Sequence, residues 1–234
     1  MSQARSRCVL LFSRAPRAEA CAKHVRSAEP LFALAGRRVA EAVAALPGVD
    51  LVVVGPSPGG ETLSSPTGLA QRGRGFAERL GNAFADARAL GYREIVAVPG
   101  DLPGLSAAHL AAAFQALADR AIVLGPSPDG GVYLIGTAEP AEGLLSGVRW
   151  RTRHVLADLL ARAGDARLLE RLADLDRPAD LARLERQRVP DRELRAVLLA
   201  IRRPVLPRAI PAGGRPRAQL LAPPDAQRGP PAAA

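Results

Sequence analysis

Three short segments of this 234-residue chain combine acidic residues with turn formers in a way that suits chemistry on a charged small molecule. The first is Pro99-Gly100-Asp101-Leu102-Pro103-Gly104, which follows an apolar run and precedes a helical one whose expected N-cap is Ser106. Magnesium keeps most of its waters and is held by one or two carboxylates plus substrate phosphates, so Asp101 on a stiff turn beside Gly100 is a suitable ligand, with room at the glycine for a nucleotide. An Asp that merely caps backbone amides in a strand-to-helix turn explains the same residues. The second segment runs from Gly125 to Gly136 and holds Asp129-Gly130-Gly131. It reads as a hairpin, yet paired glycines also let a backbone approach a sugar or phosphate while Asp129 accepts hydrogen bonds from hydroxyls. The third, Asp174-Leu175-Asp176-Arg177-Pro178-Ala179-Asp180-Leu181, starts a helix; helix capping accounts for it, and a second metal carboxylate at Asp176 is the sharper alternative.

These residues need a scaffold. Apolar β-rich runs at 8–12, 51–55, 94–98, 121–125 and 132–136 alternate with helical spacing at 30–46, 76–90 and 107–118, and helices at 153–163 and 179–188 follow the last strand. That order predicts an α/β fold, three layers with a mostly parallel sheet and helices on both faces. Such sheets bind ligands at the carboxyl ends of their strands, which is where Asp101 falls. At 24.5 kDa and 48% hydrophobic residues the chain is long enough for one such core. Nine of 21 prolines fall between Pro190 and Pro231, so the reading divides the chain into a domain over 1–188 and a basic tail over 189–234, with a helix possible at 191–203.

The net charge of +9 would ordinarily point to nucleic acid, but its location argues otherwise. From Gln187 onward nine Arg face three acidic residues, whereas residues 1–186 carry 23 basic and 20 acidic groups. Nucleic acid is therefore not expected as a partner. Cys8 and Cys21 stand in no disulfide or metal spacing, and Cys8 and Trp150 read as packing residues. No run approaches the ~20 apolar residues that span a bilayer. A cytoplasmic protein is expected. His24, His109 and His154 are unpaired with Cys or each other, and there is neither a Gly-x-Ser-x-Gly elbow nor a Walker loop.

Taken in order, several segments resemble the bacterial GT-A-like transferases grouped as the domain of unknown function 2064, over about residues 8–185. Phe12-Ser13-Arg14-Ala15-Pro16 resembles the family's opening turn. Gln71 and Gly75-Phe76-Ala77-Glu78-Arg79-Leu80 match its Gln and Gly-x-x-Glu-Arg segment, and Gly100-Asp101-Leu102-Pro103 its metal turn. Gly125–Gly136 reproduces its glycine-rich hairpin, Trp150-Arg151-Thr152 stands for its Trp-Ser-Thr, and the segment from Asp174 to Leu181 for its close. The resemblance implies a GT-A, nucleotide-diphosphosugar-transferase fold that binds a nucleotide-activated donor with magnesium or manganese and passes a group to a small-molecule acceptor.

On that basis Asp101 and Asp176 are expected at the metal, and Asp129 at the acceptor or sugar. Arg14, Lys23, Gln71, Arg79, Gly100, Gly130 and Gly131 are expected around the donor. Where the family has a Gly and a Lys-Thr-Arg-Leu run, this chain has Arg17 to Val25, leaving Arg14, Lys23 and Arg26 to meet phosphate. Three functions follow: a glycosyltransferase, a nucleotidyltransferase acting on a phosphorylated metabolite, or a non-catalytic binding protein that keeps the fold.

Overall fold

The computed structural model describes residues 6–55, 67–175, 179–182 and 191–202. Seven strands among them form one sheet: β1 (Arg7–Phe12), β2 (Val49–Gly55), β3 (Thr67–Ala70), β4 (Glu94–Pro99), β5 (Ile122–Pro126), β6 (Val132–Thr137) and β7 (Ala166–Leu168), in the order β3-β2-β1-β4-β6-β5-β7. All neighbours are parallel except β6, which is inserted antiparallel between β4 and β5 as the return strand of the expected hairpin. The chain moves outward from β1 to β2 and β3, then returns to place β4 on the other side of β1. The carboxyl ends of β1 and β4 thus form the topological switch point at which open α/β sheets bind ligands.

Helices cover both faces, as expected. Cys8 and Leu10 of β1 enter one core with Val52, Val54, Ile95 and Ala97, under α3 (Phe76–Ala89), α5 (Glu142–Leu145) and α6 (Val155–Ala163). Val9 and Leu11 enter the other with Val96 and Val98, under α2 (Glu29–Ala44) and α4 (Ala107–Asp119). A strand buried on both faces reads as an unbroken apolar run, which is why β1 and β4 were the plainest strands in the sequence. β3 and β7 were not expected: they are edge strands of four and three residues with one leucine each, too short to leave an apolar signature.

A third cluster involves the C-terminal helix α7 (Arg192–Arg202), whose Leu194 and Leu198 are buried with Ala20 of α1 (Pro16–Ala22), Leu31 and Leu34 of α2, and Leu175. Arg38 pairs with Asp191 and Arg37 with Glu193 at its start. One compact unit therefore spans Met1–Arg202, and the helix that the sequence reading set in the tail belongs to it; Arg203–Ala234 is a separate unit. Of the helix expected at 179–188, residues 179–182 are helical and the remainder lies outside the described residues. Among the described residues, no helix is long and apolar enough to cross a membrane.

Candidate functional site

A cleft of about 910 Å³ opens at the carboxyl ends of β1 and β4. Arg14, Lys23, Gln71, Arg79, Asp101, Asp129 and Gly131, scattered over the sequence, all line it. Gly100 and Gly130 do not. A side chain on Gly100 would stand 2.6 Å from Ser13 Cβ, so this glycine lets the β4–α4 turn pack against the end of β1; the space foreseen for a nucleotide is filled by Ser13. Gly130 has φ +89°, and a Cβ there would meet the Arg153 carbonyl oxygen at 2.3 Å. It docks the β5–β6 hairpin onto the turn before α6. The Arg26 side chain and Asp176 lie outside what the structure describes.

One side of the cleft is built from α1, the β4–α4 turn and the segment around Leu175. Ser106 caps α4 as expected, its N–H donating to His109 Nδ1 at 3.2 Å, and this fixes the turn that carries Asp101. Asp101 is only 7% exposed. The Lys23 ammonium, delivered from the end of α1, donates to Asp101 Oδ2 and to the Leu175 carbonyl oxygen at 2.8 Å, and lies 3.6 Å from Glu19 Oε1. The Leu175 N–H returns a bond to the Asp101 carbonyl oxygen at 3.3 Å. Two charges so far out of water persist because they compensate each other and meet further polar atoms. Asp174, next to Leu175, also lines the cleft and accepts a bond from Ser127 Oγ at 3.3 Å. Sequence reasoning gave Asp174 no role and chose its neighbour Asp176. The signal was the Asp-x-Asp spacing, in which either carboxylate could face the site.

The other side is built from the start of α3 and the turn leading into α6. Phe76 lies 4.8 Å from Trp150 between ring centroids and meets Phe12 edge-on at 5.7 Å, so three aromatic rings form a continuous wall. Trp150 packs on the core, as expected, and also lines the cleft with Arg151, Thr152 and Arg153; the sequence reading matched Arg151 and Thr152 to a family segment but gave none of the three a role in the site. Gln71 ties strand ends together, its side-chain amide donating to the Val54 carbonyl oxygen at 3.1 Å and to that of Ser13 at 3.3 Å. Asp129 Oδ1 accepts from the Gly131 N–H at 2.9 Å, which folds the hairpin turn. Tyr133 is buried and donates to the Glu170 carbonyl oxygen at 3.0 Å; burial pushes its hydroxyl up to about 12, in keeping with a core residue.

Among the described residues no group of three or more His, Cys, Asp or Glu is arranged to hold a metal ion. A closed protein cage is not what magnesium or manganese with a diphosphate requires: one or two carboxylates beside the phosphates suffice. Asp101 and Asp174, on segments joined by the Leu175–Asp101 backbone bond, are such a pair and fit this role.

Sheet order, switch point and cleft define the class: an α/β fold like that of nucleotide-diphosphosugar transferases, the GT-A fold. A structure from Desulfovibrio desulfuricans G20, provisionally described as a nucleotide-diphospho-sugar transferase, superposes with a TM-score of 0.69 at 24% identity, covering 84% of this chain and 94% of its own. Rv0371c from Mycobacterium tuberculosis H37Rv, in complex with manganese, gives 0.52 at 18% identity over 76% of this chain and 97% of its own. The 4-diphosphocytidyl-2C-methyl-D-erythritol synthase of Anaerococcus prevotii DSM 20548 gives 0.52 at 8% identity over 86% and 100%. These likenesses are of fold. The model of the family described as "Uncharacterized protein conserved in bacteria (DUF2064)" matches residues 60–152, the stretch that holds Gln71, Arg79, Asp101 and the glycine-rich hairpin, so the resemblance read from the sequence is borne out. No curated protein matches the chain.

Proposed function

We propose that the chain is a metal-dependent transferase using a nucleotide-activated donor, and most specifically a glycosyltransferase of the GT-A type. The observation that carries this reading is the convergence of Asp101, Lys23 and Asp174 in a roomy cleft at the sheet's switch point. Asp101 and Asp174 would hold the divalent ion, which when bound supplies Lewis-acid stabilisation of the leaving phosphate. Lys23 positions the Asp101 carboxylate and brings a cation to the same place. Arg14 adds a second one at the end of β1. The aromatic wall of Phe76 and Trp150 excludes water and offers a flat apolar surface to a ring. Asp129, at the hairpin tip, is placed in this reading at the acceptor or sugar hydroxyls.

Nucleotidyl transfer is the second reading. Lys23 favours it, since an ammonium beside the metal-side carboxylate suits the greater charge of a triphosphate. Product analysis separates the two: the protein is incubated with nucleotide sugars plus a panel of small-molecule acceptors, phosphorylated and unphosphorylated, and separately with nucleoside triphosphates plus sugar phosphates, with manganese or with a chelator. The first reading expects release of a nucleoside diphosphate that the chelator and Asp101→Asn both abolish. Pyrophosphate release would establish the second. Neither product, with no nucleotide bound, would leave a non-catalytic protein of the same fold.

A further inference from the structure

The two sides of the cleft differ in how their charge is met. Lys23, Glu19 and Asp101 compensate one another, whereas Arg79, Arg151 and Arg153 have no acidic side chain within ion-pair distance among the described residues. Arg79 is the sharper case: its Nε is buried in the cleft wall without a hydrogen-bond partner among the described residues. A buried guanidinium N–H left without an acceptor is costly and calls for a ligand atom.

Arg151 is the second observation. Its backbone has φ +63°, a left-handed conformation that a bulky side chain adopts only when its surroundings impose it. Those surroundings are well defined. Arg149 grips Asp158 of α6 with its Nε and terminal nitrogen at 2.9 and 2.7 Å, holding that carboxyl well below its usual range, and Thr152 Oγ1 donates to the Arg149 carbonyl oxygen at 2.7 Å. The Leu156 N–H bonds the Gly130 carbonyl oxygen at 3.0 Å, locking the turn to the hairpin. The result is a rigid turn that presents Arg151 to the cleft beside Trp150.

We propose that Arg79 and Arg151, supported by Arg153, form an anion subsite distinct from the Lys23–Asp101 pair, and that it takes the phosphate of a phosphorylated small-molecule acceptor. Planar guanidinium forks bind phosphate oxygens in pairs, and the Phe76–Trp150 wall beside them accommodates the apolar or ring portion of the same molecule. As a statement about the acceptor this rests on the transferase reading; as a statement about phosphate binding it does not.

Trp150 is the chain's single tryptophan and reports directly on this wall. Inorganic phosphate is titrated at constant ionic strength, without metal or nucleotide, while Trp150 emission is followed, and thermal melts check each variant's fold. We expect saturable binding that Arg79→Gln weakens at least tenfold and Arg151→Gln three- to tenfold. Arg120→Gln, outside the cleft, is expected to change it less than twofold, and Arg14→Gln, on the donor side, to weaken it less than Arg151→Gln does. Because Arg151 is exposed, its variant keeps the test decisive even if Arg79→Gln does not fold. Wild-type affinity in Arg151→Gln, or no saturable phosphate binding at all, would overturn the subsite. An equal loss in Arg14→Gln would assign the anion to the donor side and overturn the acceptor assignment. Failure of the transferase reading in the product assay leaves this titration unaffected, so the two outcomes are separable.

Discussion

The two sides of the cleft are built on different principles. Around Asp101, charge is internally balanced: Lys23 spans from α1 to the β4–α4 turn and to Leu175, and Leu175 is buried in the cluster that α7 completes. Around Arg79 and Arg151 the positive charge is unmatched, and backbone bonds and the Arg149–Asp158 fork supply the rigidity instead. The first side needs its charges in order to fold; the second holds charges that folding does not use. Stability and ligand binding should therefore respond to mutation in opposite ways on the two sides.

The largest expected effect concerns what stands behind the balanced side. A chain ending at residue 190 loses the burial of Leu194 and Leu198, at about 2 kcal/mol each, and should be less stable by about 4 kcal/mol than a chain ending at residue 202 when the two are compared by urea unfolding. Equal stability would show that α7 is dispensable to the core. Next comes Asp101→Ala, which takes the nearer of two carboxylates from a Lys23 ammonium about one-tenth exposed and should cost about 2 kcal/mol. Arg79→Ala removes a donor that the fold leaves unsatisfied and should cost less than about 1 kcal/mol. A large loss at Arg79, or none at Asp101, would erase the contrast.

The smallest effect is a pH dependence at the start of α7. Asp191 is held below its usual carboxylate range, chiefly by the Leu194 N–H and with help from Arg38. A depressed folded pKa contributes stability above the unfolded value of about 4, and that contribution is lost as pH falls through the folded value. Melts from pH 6 down to 3 should show a drop below pH 4 that Asp191→Asn flattens. An unchanged profile in the variant would remove the cap from the account.

How much of this could be read from sequence follows from locality. The turn at Asp101, its cap at Ser106 and the hairpin around Asp129 are written in consecutive residues, with glycines and prolines as punctuation, and they were legible. The Lys23–Asp101 pair joins residues 78 positions apart and depends on where α1 packs, so Lys23 could be nominated only as a stand-in for a missing phosphate cluster. Asp174 was passed over because an Asp-x-Asp repeat does not say whether one or both carboxylates face a site; Asp176 lies outside the described residues. Arg151 was named in a motif match, but its place in the cleft was not legible, because a left-handed backbone at an arginine has no sequence signature. The expected boundary at 188 followed the proline content; the apolar stripe of Leu194, Val197, Leu198 and Ile201 was visible, but its partner surface was not.

In the proposed function the switch-point cleft binds a nucleotide-activated donor through a divalent ion held at Asp101. Calorimetric titration of a panel of nucleoside diphosphates and nucleotide sugars into the wild type and Asp101→Asn, each with manganese and with a chelator, tests it directly. At least one nucleotide is expected to bind wild type with manganese, the chelator to weaken it more than tenfold, and Asp101→Asn with manganese to match wild type with the chelator. Binding that is indifferent to both the metal and Asp101 would contradict it.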